Sequence, residues 1–247
     1  MEITRIEHQV TGPRWRAPDL HLGLGLSRLK RMLRVVLVAL VATNAIAQAL
    51  KLRGGDGFGF VRMFDSDVKL NVPSAYKELM LVTAASLAAL LAAHARARAG
   101  RDRRGWLALA GLLAFGAFDE LTYLHQSLGK RFDGRLGLGG AVHFAWVVLY
   151  LPVVLVGLVV LVPFVLRCAE PLRTSLFTGL ALFAGGSGLL EMVKGEVTEH
   201  AGNASAWFVT VAATSDTLEE IGLAVLVVAL AAEVARRVRR VHLVLRD

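Results

Sequence analysis

Residues Ala141–Leu166 read AVHFAWVVLYLPVVLVGLVVLVPFVL, a run of 26 residues without lysine, arginine, aspartate or glutamate. A helix that crosses a bilayer needs about 20 mostly apolar residues, so this stretch reads as a membrane span. Working outward from it, five more stretches qualify: Met32–Ala49, Tyr76–Ala97, Gly105–Leu128, Leu176–Val193 and Ala206–Val234. Leu, Ala and Val dominate all of them. A lipid-exposed backbone must satisfy its own hydrogen bonds, and no alternating pattern suggests a barrel, so each span is expected to be helical. The expected fold is all-α: a polytopic membrane protein built as one bundle of six transmembrane helices. Residues 1–31 form the N-terminal segment, partly interfacial through Trp15, leucines and basic residues; residues 32–234 the transmembrane domain; and residues 235–247 a basic tail. No internal repeat and no separate soluble domain stand out.

Composition supports this reading. Of 247 residues, 55% are apolar and 19% charged, and the mean hydropathy is +0.55. A soluble globular enzyme carries more charge, and one cysteine, Cys168, excludes an internal disulfide scaffold and a cysteine-based metal cluster. The net charge of +8 reads as topology rather than as affinity for nucleic acid. Lysine and arginine alternate between the connecting segments. Nineteen fall in the N-terminal tail, Arg96–Arg104, Arg167–Arg173 and the C-terminal tail, against nine in the other connections. The positive-inside rule then places both termini of this multi-pass chain in the cytoplasm. Ala45-Ile46-Ala47 resembles a signal-peptidase site, but the charged region before it is long for a signal peptide, so the first helix is expected to be retained.

Given this orientation, the polar residues inside the spans gather at the outer side. The third span carries Asp119, Glu120, His125 and Gln126 in its second half. The fourth begins with His143, Trp146 and Tyr150 on one face, and the fifth ends with Glu191 and Lys194, with Glu196, Glu199 and His200 in the loop beyond. The sixth carries Asp216, Glu219 and Glu220, the first ends with Asn44, Gln48 and Lys51, and the second begins with Lys77 and Glu78. A carboxylate near the bilayer centre costs on the order of 2.5–3.5 kcal/mol, so these acids must be protonated, paired, metal-bound or hydrated. Neighbouring helical residues point about 100° apart, so the pairs Asp119-Glu120 and Glu219-Glu220 require a broad polar groove. Glu120 and His125 lie five apart, on different faces of an ideal helix, and would need a local bend to act together.

Before the second span the chain reads FDSDVKLNVPS, Phe64–Ser74. Asn71 or Ser74 is expected to cap the helix, with Pro73 preset for its first turn. Asp65 and Asp67 are left over; with Asn71 they form an incomplete calcium-like D-x-D-x-x-x-N pattern, or a lid over the outer cluster. In these elements the chain resembles a group of uncharacterised bacterial multi-pass membrane proteins. That group shares FD-x-D-x-x-x-N-x-P-S, an intramembrane DE-x(4)-H (here Asp119-Glu120…His125), a lone Glu (Glu191) and an EE pair (Glu219-Glu220). The resemblance spans residues 60–225 and implies these residues as a site without implying a reaction. Gln126 departs from the glutamate usual after the histidine.

Four functions compete. The first is a metal-dependent membrane enzyme. Glu120, His125, Glu191, Glu219 and Glu220 would hold a divalent ion (zinc, manganese or iron), and Asp119 and Asp216 would serve as general base or as support to the ligands. It would act as hydrolase or oxidoreductase on a lipid-like or amphiphilic substrate from the outer side. The second is a proton- or cation-coupled transporter, which the apolar inner halves of the spans disfavour. The third is a bis-histidine haem protein using His125 and His143. The fourth is a non-catalytic membrane subunit whose carboxylates are all paired. Membrane lipids are the expected partners.

Overall fold

A computed structural model describes residues 25–66, 68–98, 100–132 and 139–238. The N-terminal tail up to residue 24, Asp67 and the basic tail from residue 239 lie outside the described residues. The described chain is all helical: α1 Leu26–Leu52, α2 Phe60–Phe64, α3 Val72–Ala97, α4 Arg103–Thr122, α5 Leu124–Phe132, α6 Ala145–Arg167, α7 Leu172–Ala184, α8 Glu191–Ala201 and α9 Ala206–Arg237. A 3-10 turn at Gly140–Val142 precedes α6, and a π-helical segment, Gly185–Leu190, joins α7 to α8. Five rods are long and apolar enough to cross a membrane: α1, α3, α4, α6 and the continuous stretch Leu172–Ala201. α9 is long enough but carries its acids within the span.

The helix ends follow from local chemistry. Asn71 caps α3: its side chain accepts from the Ser74 N–H at 3.1 Å while the Ser74 hydroxyl accepts from the Asn71 N–H at 2.9 Å. Pro73 sits in the first turn, where its missing N–H costs nothing. Ser205 caps α9 by accepting from the Phe208 N–H at 3.2 Å.

The packing is made by small residues on one side and large ones on the other. Ala84, Ala88 and Ala92 of α3 are buried with Leu109 and Leu113 of α4 and Leu223, Leu226 and Leu230 of α9. Trp106 and Phe164 meet edge to face with ring centres 4.9 Å apart. α7 and α9 approach so closely that a Cβ on Gly179 would lie 3.0 Å from the Gly222 carbonyl oxygen. α6 buries little of its surface and presents valines and leucines outward, as a lipid-facing helix does.

Three boundaries correct the sequence reading. The third span is not continuous from Gly105 to Leu128. It stops at Thr122, and Tyr123 takes a left-handed conformation (φ 54°, ψ 35°) that turns the chain into α5. The fourth span starts at Ala145 rather than Ala141, so His143 precedes the helix. The fifth runs on to Ala201, so Glu196, Glu199 and His200 are helical and not loop residues. One end of the bundle gathers the acidic residues of α3, α4, α8 and α9; the other gathers arginines around the α3–α4 connection and the end of α9.

Candidate functional site

The site is built from the break at Tyr123. An unbroken helix would carry His125 past Asp119. The left-handed turn instead starts a new helix whose first free N–H groups need acceptors. Asp119 supplies one: its Oδ1 accepts the backbone N–H of His125 at 2.9 Å. The turn also brings the His125 ring back onto the same carboxylate, with Nδ1 2.5 Å from Asp119 Oδ2. Tyr150 of α6 donates its hydroxyl to Asp119 Oδ1 at 2.6 Å. The rings of Trp146 and Tyr150 stand edge-on to the imidazole at 5.2 and 6.5 Å. Asp119 thus holds one imidazole nitrogen, and the other, Nε2, takes no hydrogen bond among the described residues. This is how a carboxylate fixes a histidine that serves as a base or as a ligand.

Glu120, one residue on, points the other way. Its two oxygens accept from Lys69 Nζ at 3.0 and 3.1 Å, and Lys69 also lies 5.8 Å over the Tyr123 ring. Charges on Glu78 and Lys77 face it from α3. The adjacent acids therefore serve two neighbouring arrangements, as their angular separation requires.

The second arrangement centres on Lys77, whose side chain is 5% exposed. Its ammonium lies 2.9 Å from Asp216 Oδ1 and 3.1 Å from Glu219 Oε2, both on α9. Lys194 pairs with Glu191 at 2.7 Å, lies 5.5 Å over the Phe208 ring and also faces Asp216. Glu220, 3% exposed, has Tyr76 and Lys77 among its polar neighbours. The π segment closes this side: Ser215 donates to the Gly186 carbonyl at 2.9 Å, and a Cβ on Gly186 would stand 2.6 Å from the Ser215 carbonyl oxygen. Only glycine permits the two backbones to meet there. Single π turns inside α-helices are frequent at functional sites.

The remaining candidates have other surroundings. Asp65, 1% exposed, accepts from Gln48 Nε2 and from Lys51 Nζ, each at 2.7 Å. Its carbonyl accepts from Asn71 Nδ2 at 2.6 Å, and the Ser66 N–H donates to Asn44 Oδ1 at 3.2 Å. Asp65 and Asn71 therefore clamp the loop between α1 and α3. His143 does not join His125: its Nδ1 lies 3.9 Å from Glu199, which also accepts the Gly140 N–H. His200 lies 3.5 Å from Glu196, one turn back along α8.

Asp119 and His125 thus meet at one helix break, Glu120 turns from it to Lys69, and Asp216, Glu219, Glu220 and Glu191 gather around Lys77 and Lys194. Among the described residues no three His, Cys, Asp or Glu side chains converge as a set for one metal ion. Lys69 and the Tyr150 hydroxyl are the partners that spacing alone missed. Lys69 lies inside the quoted loop motif, and Tyr150 follows Trp146 by one helical turn.

Fold and site together define an all-helical membrane protein with a polar, ion-paired end and an apolar middle. Within that class, the chain belongs to the family defined by a domain of unknown function, DUF8692, whose profile matches residues 26–234. No curated protein and no solved structure matches it.

Proposed function

We propose that the protein is a six-span enzyme of the bacterial cytoplasmic membrane, with both termini inside and the acidic end facing out. α9 is the sixth span: its 32 residues extend about 48 Å at 1.5 Å per residue, more than a bilayer's hydrocarbon layer. The bias of lysine and arginine supports the orientation.

The observation that carries the reading is the Asp119–His125 contact. Asp119 holds Nδ1 and Tyr150 steadies the carboxylate, so Nε2 is the atom left to take a proton. His125 acts as general base toward water or a lipid hydroxyl. The oxygen it deprotonates bonds to the acyl or phosphoryl centre of a lipid-like substrate, and the proton passes from Nε2 to the leaving oxygen as the ester bond breaks. Hydrolysis and group transfer are the reactions a general base serves. Glu120, Glu191 and Glu219 already face lysines, so the step runs through His125 rather than through a metal. The packed leucines of the bundle's middle, among them Leu109, Leu113 and Leu226, disfavour the transporter reading.

The test is lipid turnover. The purified protein is placed in nanodiscs with lipids extracted from its own membrane, and products are followed by mass spectrometry. The expected outcome is product formation that falls at least about 100-fold in His125→Gln, the scale of general acid–base catalysis. Equal turnover in His125→Gln would overturn the proposal. Turnover abolished by a chelator and restored by zinc, manganese or iron would replace it with the metal-dependent enzyme.

A further inference from the structure

The opposite end of the bundle holds a second polar feature that the proposed chemistry does not use. A cavity of about 780 Å³ opens where the end of α3, the start of α4 and the end of α9 meet. Its polar lining is His94 from α3, Arg98 at that helix's C-cap, Asp102 from the connection, and Arg236 and Arg237 from α9. That volume falls in the range of small-molecule sites.

The two α9 arginines are fixed in place. Glu233, 4% exposed, accepts from Arg236 Nε at 2.8 Å and Nη2 at 2.6 Å, and also from Arg237 Nε. Arg237 further lies 5.7 Å over the Trp106 ring, with Nη1 3.9 Å from Asp102. Arg98 and His94, by contrast, make no hydrogen bond or ion pair among the described residues. Asp102 stands at the N-cap of α4 without capping it, so the first-turn N–H groups lack a side-chain acceptor. Three arginines, one histidine and a helix start face two carboxylates, both already close to arginine. The balance is positive.

We infer that this cavity binds the phosphate headgroup of an anionic phospholipid. Arginine matches phosphate oxygens with paired N–H donors, and a helix start adds the same preference. A lipid is the source because the cavity lies where three helices leave the apolar layer. The charge bias assigns this end to the cytoplasmic side, where basic pockets between spans meet anionic headgroups. The site is separate from the Asp119–His125 end, roughly 31 Å away along α9, where 21 residue steps of 1.5 Å lead from Asp216 to Arg237.

The test is native mass spectrometry of the detergent-purified protein with phosphatidylglycerol or phosphatidylcholine added. Phosphatidylglycerol should be retained roughly tenfold better, and His94→Ala with Arg98→Ala should reduce that retention about fivefold or more. Arg98→Glu should abolish the preference, while Arg96→Ala, outside the cavity, should leave it intact; thermal unfolding checks that each variant is folded. Equal retention of the two lipids, or phosphatidylglycerol bound as well by the Arg98 variants, would overturn the inference. Displacement of the lipid by millimolar inorganic phosphate would identify a free-phosphate site and overturn the lipid as its occupant.

Discussion

The two ends of α9 handle buried carboxylates in opposite ways. Near its finish, Glu233 is met by Arg236 and Arg237 from the next turn of the same helix. Near its start, Asp216 and Glu219 are met by Lys77, which is 139 and 142 residues away in the chain. The first pairing forms whenever the helix forms. The second exists only when α3 and α9 have docked. The local pairing needs no tertiary contact, whereas the distant one depends on the whole fold.

This contrast can be broken by substitution, with thermal unfolding in detergent as readout. Cys168, the one thiol and only partly buried, reports unfolding through its reaction with a thiol dye. Lys77→Ala should have the largest effect, a loss of about 3–5 kcal/mol, because it leaves two buried carboxylates without their cation. Adding Asp216→Asn and Glu219→Gln to that variant should recover most of the loss; no recovery would mean that Lys77 acts through packing. Asp65→Ala should cost about 2–3 kcal/mol, since Gln48 and Lys51 both lose an ionised acceptor. Tyr150→Phe should cost about 1 kcal/mol and also slow turnover, one hydrogen bond to Asp119 being removed. Arg236→Ala should have the smallest effect, under about 1 kcal/mol, because its side chain is 64% exposed and Arg237 still holds Glu233. Equal losses for Lys77→Ala and Arg236→Ala would erase the distinction between the two ends.

Much of this was legible in the residues. The apolar runs gave the helices, and the cost of intramembrane charge singled out Asp119, Glu120, Asp216, Glu219 and Glu220. Asn71, Pro73 and Ser74 announced the start of α3 through their capping chemistry. The break at Tyr123 was not legible: nothing in Leu-Thr-Tyr-Leu requires a left-handed residue, and the turn is held by Asp119 and by α6. The i,i+5 spacing of Glu120 and His125 did signal that an unbroken helix could not bring them together, but the break serves Asp119 and His125, and Glu120 turns to Lys69 instead. The continuation of the fifth span past Val193 to Ala201 was hidden by Lys194, Glu196, Glu199 and His200, whose polarity read as a loop. The need for glycine at position 186 appears only when α9 is seen against it. His143 and Trp146 share a face by periodicity, but the helix begins after His143, so the histidine turns to Glu199 instead.

The central claim is that Asp119 presents His125 as a base through Nε2. Nitrogen-15 spectra of histidine-labelled protein in bilayers test it most directly, with His125→Gln identifying the signal. The expected signal is a neutral imidazole protonated on Nδ1 with a bare Nε2, redistributing toward the other tautomer in Asp119→Asn. A neutral His125 carrying its proton on Nε2, or a spectrum unchanged by Asp119→Asn, would contradict it.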